Sequence, residues 1–326
     1  MKIKGKTVKF FIVVSLSVLL VALSFVLIKF DSKYATFEQK NETEDNVVTF
    51  KGTNYVLKDN IETFLLIGLD KFKEYNEYES FNNDQQADFL MLCILDNDNK
   101  VCDCLHINRD TMVDMSVFGV TGEKIDTVNQ QICLSHAYGN GKEMSCYNTL
   151  QSVSSLLFGV KIKHFVSLSL DAVGIYNDLL GGVEIEVLDD FTGVDDTLIK
   201  GSTVNLNGDQ ALNYVKSRAG LEDSSNIARM NRQRQYMKAL VEKTIYRINN
   251  DESFVVNSYP AMAEYILSDY SVKRFQKLLK SISGYKINDI KTIDGETKIR
   301  NNHIEFYPDY DSLNELVIDL FYQPLK

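Results

Sequence analysis

Proline is nearly missing from this sequence, with three in 326 residues, and glycine numbers only 17. Those counts exclude a collagen-like repeat and argue against a disordered chain. Histidine is also sparse: His106, His136, His164 and His303 are scattered, and no CxxC pair accompanies them, so zinc-ligand spacing is lacking. No GxSxG elbow, HExxH helix or GxxxxGK(S/T) loop occurs, which removes three common catalytic signatures. Basic residues are outnumbered, 35 against 45 acids, which disfavours nucleic acid as a partner. No internal repeat and no low-complexity linker follows residue 47.

The remaining composition, 44% apolar and 25% charged, is that of a globular chain long enough to bury a sizeable core. Residues 1–9 carry four lysines, and residues 10–28 carry no charge. At about 1.5 Å per residue that run makes roughly 28 Å of helix, enough to cross a bilayer core. The lysine flank predicts a cytoplasmic tail (1–9), one transmembrane helix (10–28), a polar linker (29–46) and an extracytoplasmic domain (47–326). A cleaved signal peptide is the rival reading, but the run is long for one and no small-x-small site follows. The five cysteines are Cys93, Cys102, Cys104, Cys133 and Cys146. Cys133 and Cys146 flank a turn-rich segment. They could close a disulfide worth about 3 kcal/mol or remain buried thiols, and the sequence leaves both open.

Short apolar runs at 63–67 and 87–95 read as buried strands. An Asp-Asn-Asp-Asn turn then leads to a paired strand at 100–108. This arrangement puts Asp70, Asp88 and Arg109 at or near strand termini on one edge of a sheet. The 71–86 segment reads as a loop and 47–57 as an edge strand. Helices are predicted at 143–157, 172–180, 207–214 (capped by Asn207), from a cap at Ser224 or Ser225 to 248, at 272–282 and at 313–321, the last capped by Asp311 or Ser312. Further strands are predicted at 165–169, 183–187 and 287–293. The alternation of strand and helix persists to the end and favours one α/β domain.

A cationic stretch at 214–238 stands out in so acidic a chain: Lys216, Arg218, Arg229, Arg232, Arg234 and Lys238. On the predicted long helix, Arg229, Arg232, Gln233 and Tyr236 share an arc of about 100°. Ile227, Met230, Met237, Val241 and Ile245 fall on another face, read as the core side, and Arg234 is expected to pair locally. Carboxylates beside guanidiniums suit a polyphosphate held by a divalent metal. The plainer alternative is that acids such as Asp110 simply pair with the arginines.

The ordered set IGLD (67–70), ADFLMLCIL (87–95), HINRDTM (106–112), SHAYGNG (135–141), LLGGVEIEV (179–187), LNGDQALNYVKSR (206–218) and RMNRQRQ (229–235) resembles the LytR-CpsA-Psr family. The resemblance covers essentially residues 62–237. It implies a single extracytoplasmic α/β domain with a central mixed sheet flanked by helices, anchored in the cell membrane by a single pass. It also implies Mg²⁺-assisted transfer of a glycopolymer from a polyprenyl-pyrophosphate carrier to peptidoglycan. A hydrolase using water, or a non-catalytic glycan-lipid binder, are the alternatives. Carried over by position, Asp70 and Asp88 are the metal-side carboxylates. Arg109, Lys216, Arg218, Arg229, Arg232 and Gln233 surround the pyrophosphate, and Asp110 supports the arginines. The lipid tail is expected in an apolar tunnel between sheet and helices. Three positions depart from the family pattern: Gln86 and Lys216 stand where arginine is usual, and Asn108 where proline is.

Overall fold

The computed structural model describes residues 47–72, 84–119, 121–251, 253–270 and 285–325. The expected tail, membrane helix and linker, most of the 71–86 loop and the helix at 272–282 lie outside the described residues. Among the described residues no helix is long and apolar enough to cross a membrane.

The described chain opens with a hairpin, β1 (Val47–Phe50) and β2 (Thr53–Leu57), extended by the C-terminal β16 (Tyr322–Pro324). The central layer is a mixed sheet. β3 (Ile61–Leu69), β4 (Ala87–Asp96) and β5 (Val101–Ile107) form an antiparallel meander. β8 (His164–Ser169) runs parallel to β3, and β11 (Ile266–Ser268) closes that side. On the other side β12 (Lys286–Ile287) and β13 (Lys291–Thr292) each pair parallel with β5. Three ribbons lie outside the sheet: β6 (Met112–Phe118) with β7 (Lys124–Gln131), β9 (Val183–Glu186) with β10 (Thr203–Leu206), and β14 (Gly295–Arg300) with β15 (His303–Pro308).

β3 and β4 are apolar almost without alternation because helices cover both faces of the sheet. Leu65, Ile67, Leu90 and Leu92 pack against α1 (Glu143–Leu156) and α6 (Tyr310–Phe321) through Leu150, Val153, Leu313 and Val317. Phe64, Leu66 and Met91 belong to the opposite core. There α2 (Asp171–Leu179), α3 (Gly208–Lys216), α4 (Asn226–Asn250) and α5 (Phe254–Met262) contribute Tyr176, Ala211, Tyr214, Tyr236, Leu240 and Phe254.

Several expectations are corrected. The strand expected at 287–293 is broken into β12 and β13, because Asn288 turns its amide to Cys102 O and its side chain to Asp103. α6 starts earlier than expected, since Asp309 rather than Asp311 or Ser312 accepts from the first-turn amides. The edge strand at 47–57 is a hairpin. Cys133 and Cys146 are both free thiols, so no disulfide joins them. On α4 the arginine side is buried as well: Arg229, Arg232 and Tyr236 face inward while Ile227 is exposed. Met230 and Val241 are buried as the apolar pattern expects, and Met237 packs against the core that holds Val241. Hydropathy missed only that the arginine side is buried too, where the guanidinium of Arg232 finds protein acceptors.

At the far end of β8, His164 lies between two acids, Nε2 3.4 Å from Glu62 and Nδ1 3.3 Å from Asp269. Burial works against the charged ring, but Asp269 and Glu62 outweigh it and the pKa is raised above the ordinary value. A raised histidine pKa contributes stability that is fully present below the unfolded pKa and lost as pH rises through the folded one. The stability advantage of wild type over His164→Phe should therefore be largest in mildly acidic buffer and shrink toward alkaline pH. Thermal melts of both proteins across pH 5–9 check this, and a pH-independent difference contradicts it.

Candidate functional site

One end of the sheet collects the charged residues, and local sequence explains how. At Gly68/Leu69 the β3–β4 register shifts. A Cβ added to Gly68 would lie 2.8 Å from Phe89 Cβ, so only glycine allows the strands this close at the irregularity that leads into Asp70. Asp88 follows on β4. β5 ends opposite Leu90 and hands Asn108, Arg109 and Asp110 to the same end. The helices arrive from the other direction. Asn207 and Gln210 form a reciprocal capping box that starts α3, which ends at Lys216. Ser225 caps α4 by accepting from Ala228 N.

Arg109 is the hub. Its guanidinium pairs with Asp88 and donates to Gln86 Oε1. It also lies 3.1 Å from Cys133 Sγ, with Nε 3.5 Å from Asp110 Oδ1. Arg229 approaches Asp88 at 3.8 Å and donates to Asn226 Oδ1 at 2.6 Å. Asn108, at the position where proline is usual, ties the loop together. Its Oδ1 accepts from Asp110 N at 2.9 Å and from Asn226 Nδ2 at 2.7 Å, joining the arginine loop to the start of α4. Burial raises the Asp110 carboxyl even though Arg109, Arg218 and Arg229 pull it down. Burial, reinforced by Arg218 and Arg109, pushes Arg229 down to about 10. Arg109 Nε, Arg229 Nε and Asp110 Oδ2 are buried without a hydrogen-bond partner in the protein. Two orphaned guanidinium donors beside one another are a costly arrangement that an oxyanion would relieve.

The site residues expected from the sequence separate into three groups. Asp88, Arg109, Asp110, Arg218 and Arg229 converge. Lys216 and Asp70 face each other at the rim, 3.5 Å apart and each more than half exposed, where an ion pair is weak. Arg232 and Gln233 are placed differently from their expected role at the pyrophosphate. Arg232 is fully buried, with Nε donating to Tyr214 O at 2.9 Å, another donor on Ser217 O, and the last on Asp189. Gln233 Nε2 donates to Val215 O at 3.1 Å. These are carbonyls at the C-terminal end of α3, which lack intrahelical partners. Arg232 and Gln233 thus fasten the turn that carries Lys216 and Arg218. Arg234 donates locally to Asn231, as expected.

Sequence reasoning missed Cys133, Asn226 and His136 as parts of this site. His136 is buried, its pKa pushed down to about 4 by burial, with Nδ1 3.2 Å from Gln85 O. Gln85 Nε2 in turn donates to Lys71 O at 3.0 Å, so this chain of bonds holds the approach to Gln86 and Asp88. The only sequence signal was the position of Cys133 and His136 in or next to the SHAYGNG stretch.

Among the described residues no cluster of three or more acidic, histidine or cysteine side chains could hold a metal by itself. Asp70 and Asp88, the two carboxylates expected on the metal side, are paired with Lys216 and with Arg109 and Arg229 respectively. Mg²⁺ commonly uses only one or two carboxylates, completing its shell with phosphate and water oxygens.

The profile of the LytR_cpsA_psr family matches residues 24–320. The teichoic acid transferase TagV of Bacillus subtilis is 26% identical over 178 residues, 53% of this chain and 42% of that protein. TagU of Halalkalibacterium halodurans is 27% identical over 160 residues, 49% of this chain and 47% of its own. Both are named as polyisoprenyl-teichoic acid–peptidoglycan transferases. The chain therefore spans less than half the length of these relatives. The crystal structure of B. subtilis TagV superposes with a TM-score of 0.59 at 23% identity, covering 80% of this chain and 95% of that one. A structure titled TagT bound to LI-WTA gives 0.60 at 20%, covering 80% and 89%. Likenesses at this identity concern the fold.

Proposed function

The chain belongs to the LytR-CpsA-Psr family, and from that premise we propose that it transfers a glycopolymer from a polyprenyl-pyrophosphate carrier to a sugar hydroxyl of peptidoglycan. The observation that carries this reading is the convergence of Arg109, Arg218 and Arg229 around Asp88 and Asp110, with two guanidinium Nε donors left over. Phosphoryl transfer asks a protein mainly for positioning and charge neutralisation, and this site offers both. Arg109, Arg229 and Arg218 bind the pyrophosphate oxygens, with Lys216 as a rim charge. Asp70 and Asp88 would hold Mg²⁺, which supplies positive charge to the phosphate oxygens when bound. The acceptor hydroxyl attacks the phosphorus bearing the glycan in line, and polyprenyl phosphate leaves. No protein nucleophile takes part. A membrane anchor at 10–28, as the sequence leads one to expect, would keep the domain beside its lipid donor and outside the cytoplasm.

The purified full chain, given a polyprenyl-pyrophosphate-linked glycan, peptidoglycan and Mg²⁺, tests the reading. Glycan covalently joined to peptidoglycan is the expected product. Free glycan would show a hydrolase instead, and binding without turnover a glycan-lipid binder.

Gln86 distinguishes this site from the family pattern. It offers Arg109 an acceptor where an arginine would offer the substrate another cation. Gln86→Arg should therefore melt lower than wild type without ligand, through repulsion against Arg109. It should gain more from inorganic pyrophosphate, by about tenfold in affinity for one added charge-assisted contact. Equal pyrophosphate-induced melting shifts in the two proteins would contradict this.

A further inference from the structure

Three of the five cysteines lie together in the sheet, away from the arginine site. Cys93 on β4 is directly opposite Cys104 on β5, and their sulfurs are 3.5 Å apart. Cys102 is on the same face of β5, and all three belong to the core that α2–α5 cover. Directly opposed residues in an antiparallel pair have Cα atoms about 4.5–5.5 Å apart, inside the range a disulfide spans. Residues two apart on one strand are separated by roughly 6.6 Å or more, at the far limit of that range. Cys93 and Cys104 are thus the pair that can join. The other two thiols are engaged elsewhere, Cys133 beside Arg109 and Cys146 4.0 Å from His136 Nε2.

We propose that Cys93 and Cys104 form a dithiol site that a low-molecular-weight disulfide oxidises to a cross-strand bond. Cys104 reacts first. It is the most exposed of the three, at 7% against 1% for each of the others. The strand ladder at the outer edge of β5 is also interrupted there: β12 pairs with residues 101–102 and β13 with 105–106, leaving Asp103 to the Asn288 side chain and Cys104 without a ladder partner on that edge. Opening that edge is a local event, which needs far less than global unfolding. Hydrogen bonds from the Cys102 and Cys93 thiols to the Cys104 sulfur lower its pKa against the opposing pull of burial and of Asp103. The Cys104 thiolate attacks one sulfur of the reagent, forming a mixed disulfide and expelling one thiolate. Cys93 sulfur then attacks Cys104 Sγ, closing the protein disulfide and expelling the second thiolate. The two thiol protons go to the released thiolates, so the two cysteines are oxidised and one reagent disulfide becomes two thiols. The bond staples the β4–β5 hairpin between its turn and the end that carries Asp88 and Arg109.

The test incubates the full chain, natively folded in detergent, with oxidised glutathione. Acid quenching, denaturing alkylation and peptide mass mapping follow. The expected result is loss of two hydrogens, a crosslink between the Cys93 and Cys104 peptides, and alkylation of Cys102, Cys133 and Cys146. Cys104→Ala should abolish the crosslink and Cys146→Ala should leave it. Wild-type mapping alone suffices if a variant fails to fold. Five alkylated cysteines, a glutathione adduct without a crosslink, or a crosslink through any other pair overturns the proposal.

Discussion

Replacing Arg109 with alanine is expected to cut transfer by about 10²- to 10³-fold, the usual effect of removing one preorganised charge-stabilising donor, while the domain stays folded. Arg109 is the group that touches most of the site: Asp88, Gln86, Cys133 and Asp110 all lie against its guanidinium. Losing it leaves Asp88 within 3.8 Å of Arg229 and partly open to solvent, so that acid is not stranded. Asp110 loses the first of the three arginines that pull its carboxyl down against burial, and so protonates more readily. The site keeps its frame but lacks the charge that meets the transferring phosphate. Arg109→Lys should rescue little, because an ammonium cannot reproduce the planar fork that spans Asp88 and Gln86. The measurement is initial rate with the lipid-linked donor, alongside a thermal melt. An unchanged rate in Arg109→Ala would remove the phosphotransferase reading.

The strands that carry this site were legible because β3 and β4 are continuously apolar, with Gly68 near the end of β3 and the Asp96–Asn99 turn at the end of β4. Asp70, Asp88 and Arg109 follow directly from where those strands stop. The cap residues Asn207 and Ser225 were legible for the same local reason. Less visible was anything decided by a distant partner. The β14–β15 ribbon has no strong apolar alternation, and all six residues of β14 are exposed. It is held through β15, where Phe306 N donates to Asp110 O. Cys133 reads as any buried thiol until the fold sets it against Arg109. Helical periodicity assigned the apolar residues of α4 to the core and the arginines to the outside. It could not anticipate that Asp189 and the free carbonyls of α3 would make burial of Arg232 tolerable.

Arg232→Ala is the second large effect, and it should appear as instability. Arg229 and Arg232 are three residues apart on one helix and looked equivalent in the sequence. Arg229 has an orphaned Nε at the site, whereas each guanidinium nitrogen of Arg232 is committed to Tyr214 O, Ser217 O or Asp189. The ring of Phe191 also lies 5.4 Å from the Arg232 guanidinium carbon. Truncation therefore removes two carbonyl partners at the end of α3, leaves Asp189 unpaired, and opens a hole beside Phe191. Breaking a buried pair costs about 3–5 kcal/mol. Asp189 retains 20% exposure, which places the expected loss near the lower figure. A loss of about 3 kcal/mol lowers the melting point by roughly 6–12 °C in a domain of this size class. Below that lowered melting point, the variant's remaining activity should fall through loosened placement of Lys216 and Arg218, with weaker donor binding as the main symptom. A melting point equal to wild type, combined with lost transfer, would show instead that Arg232 leaves Asp189 to meet the phosphate. Arg109→Ala should thus lose rate with little change in melting point. Arg232→Ala should lose melting point first, and that contrast separates a group that acts on the substrate from one that holds the helix end in place.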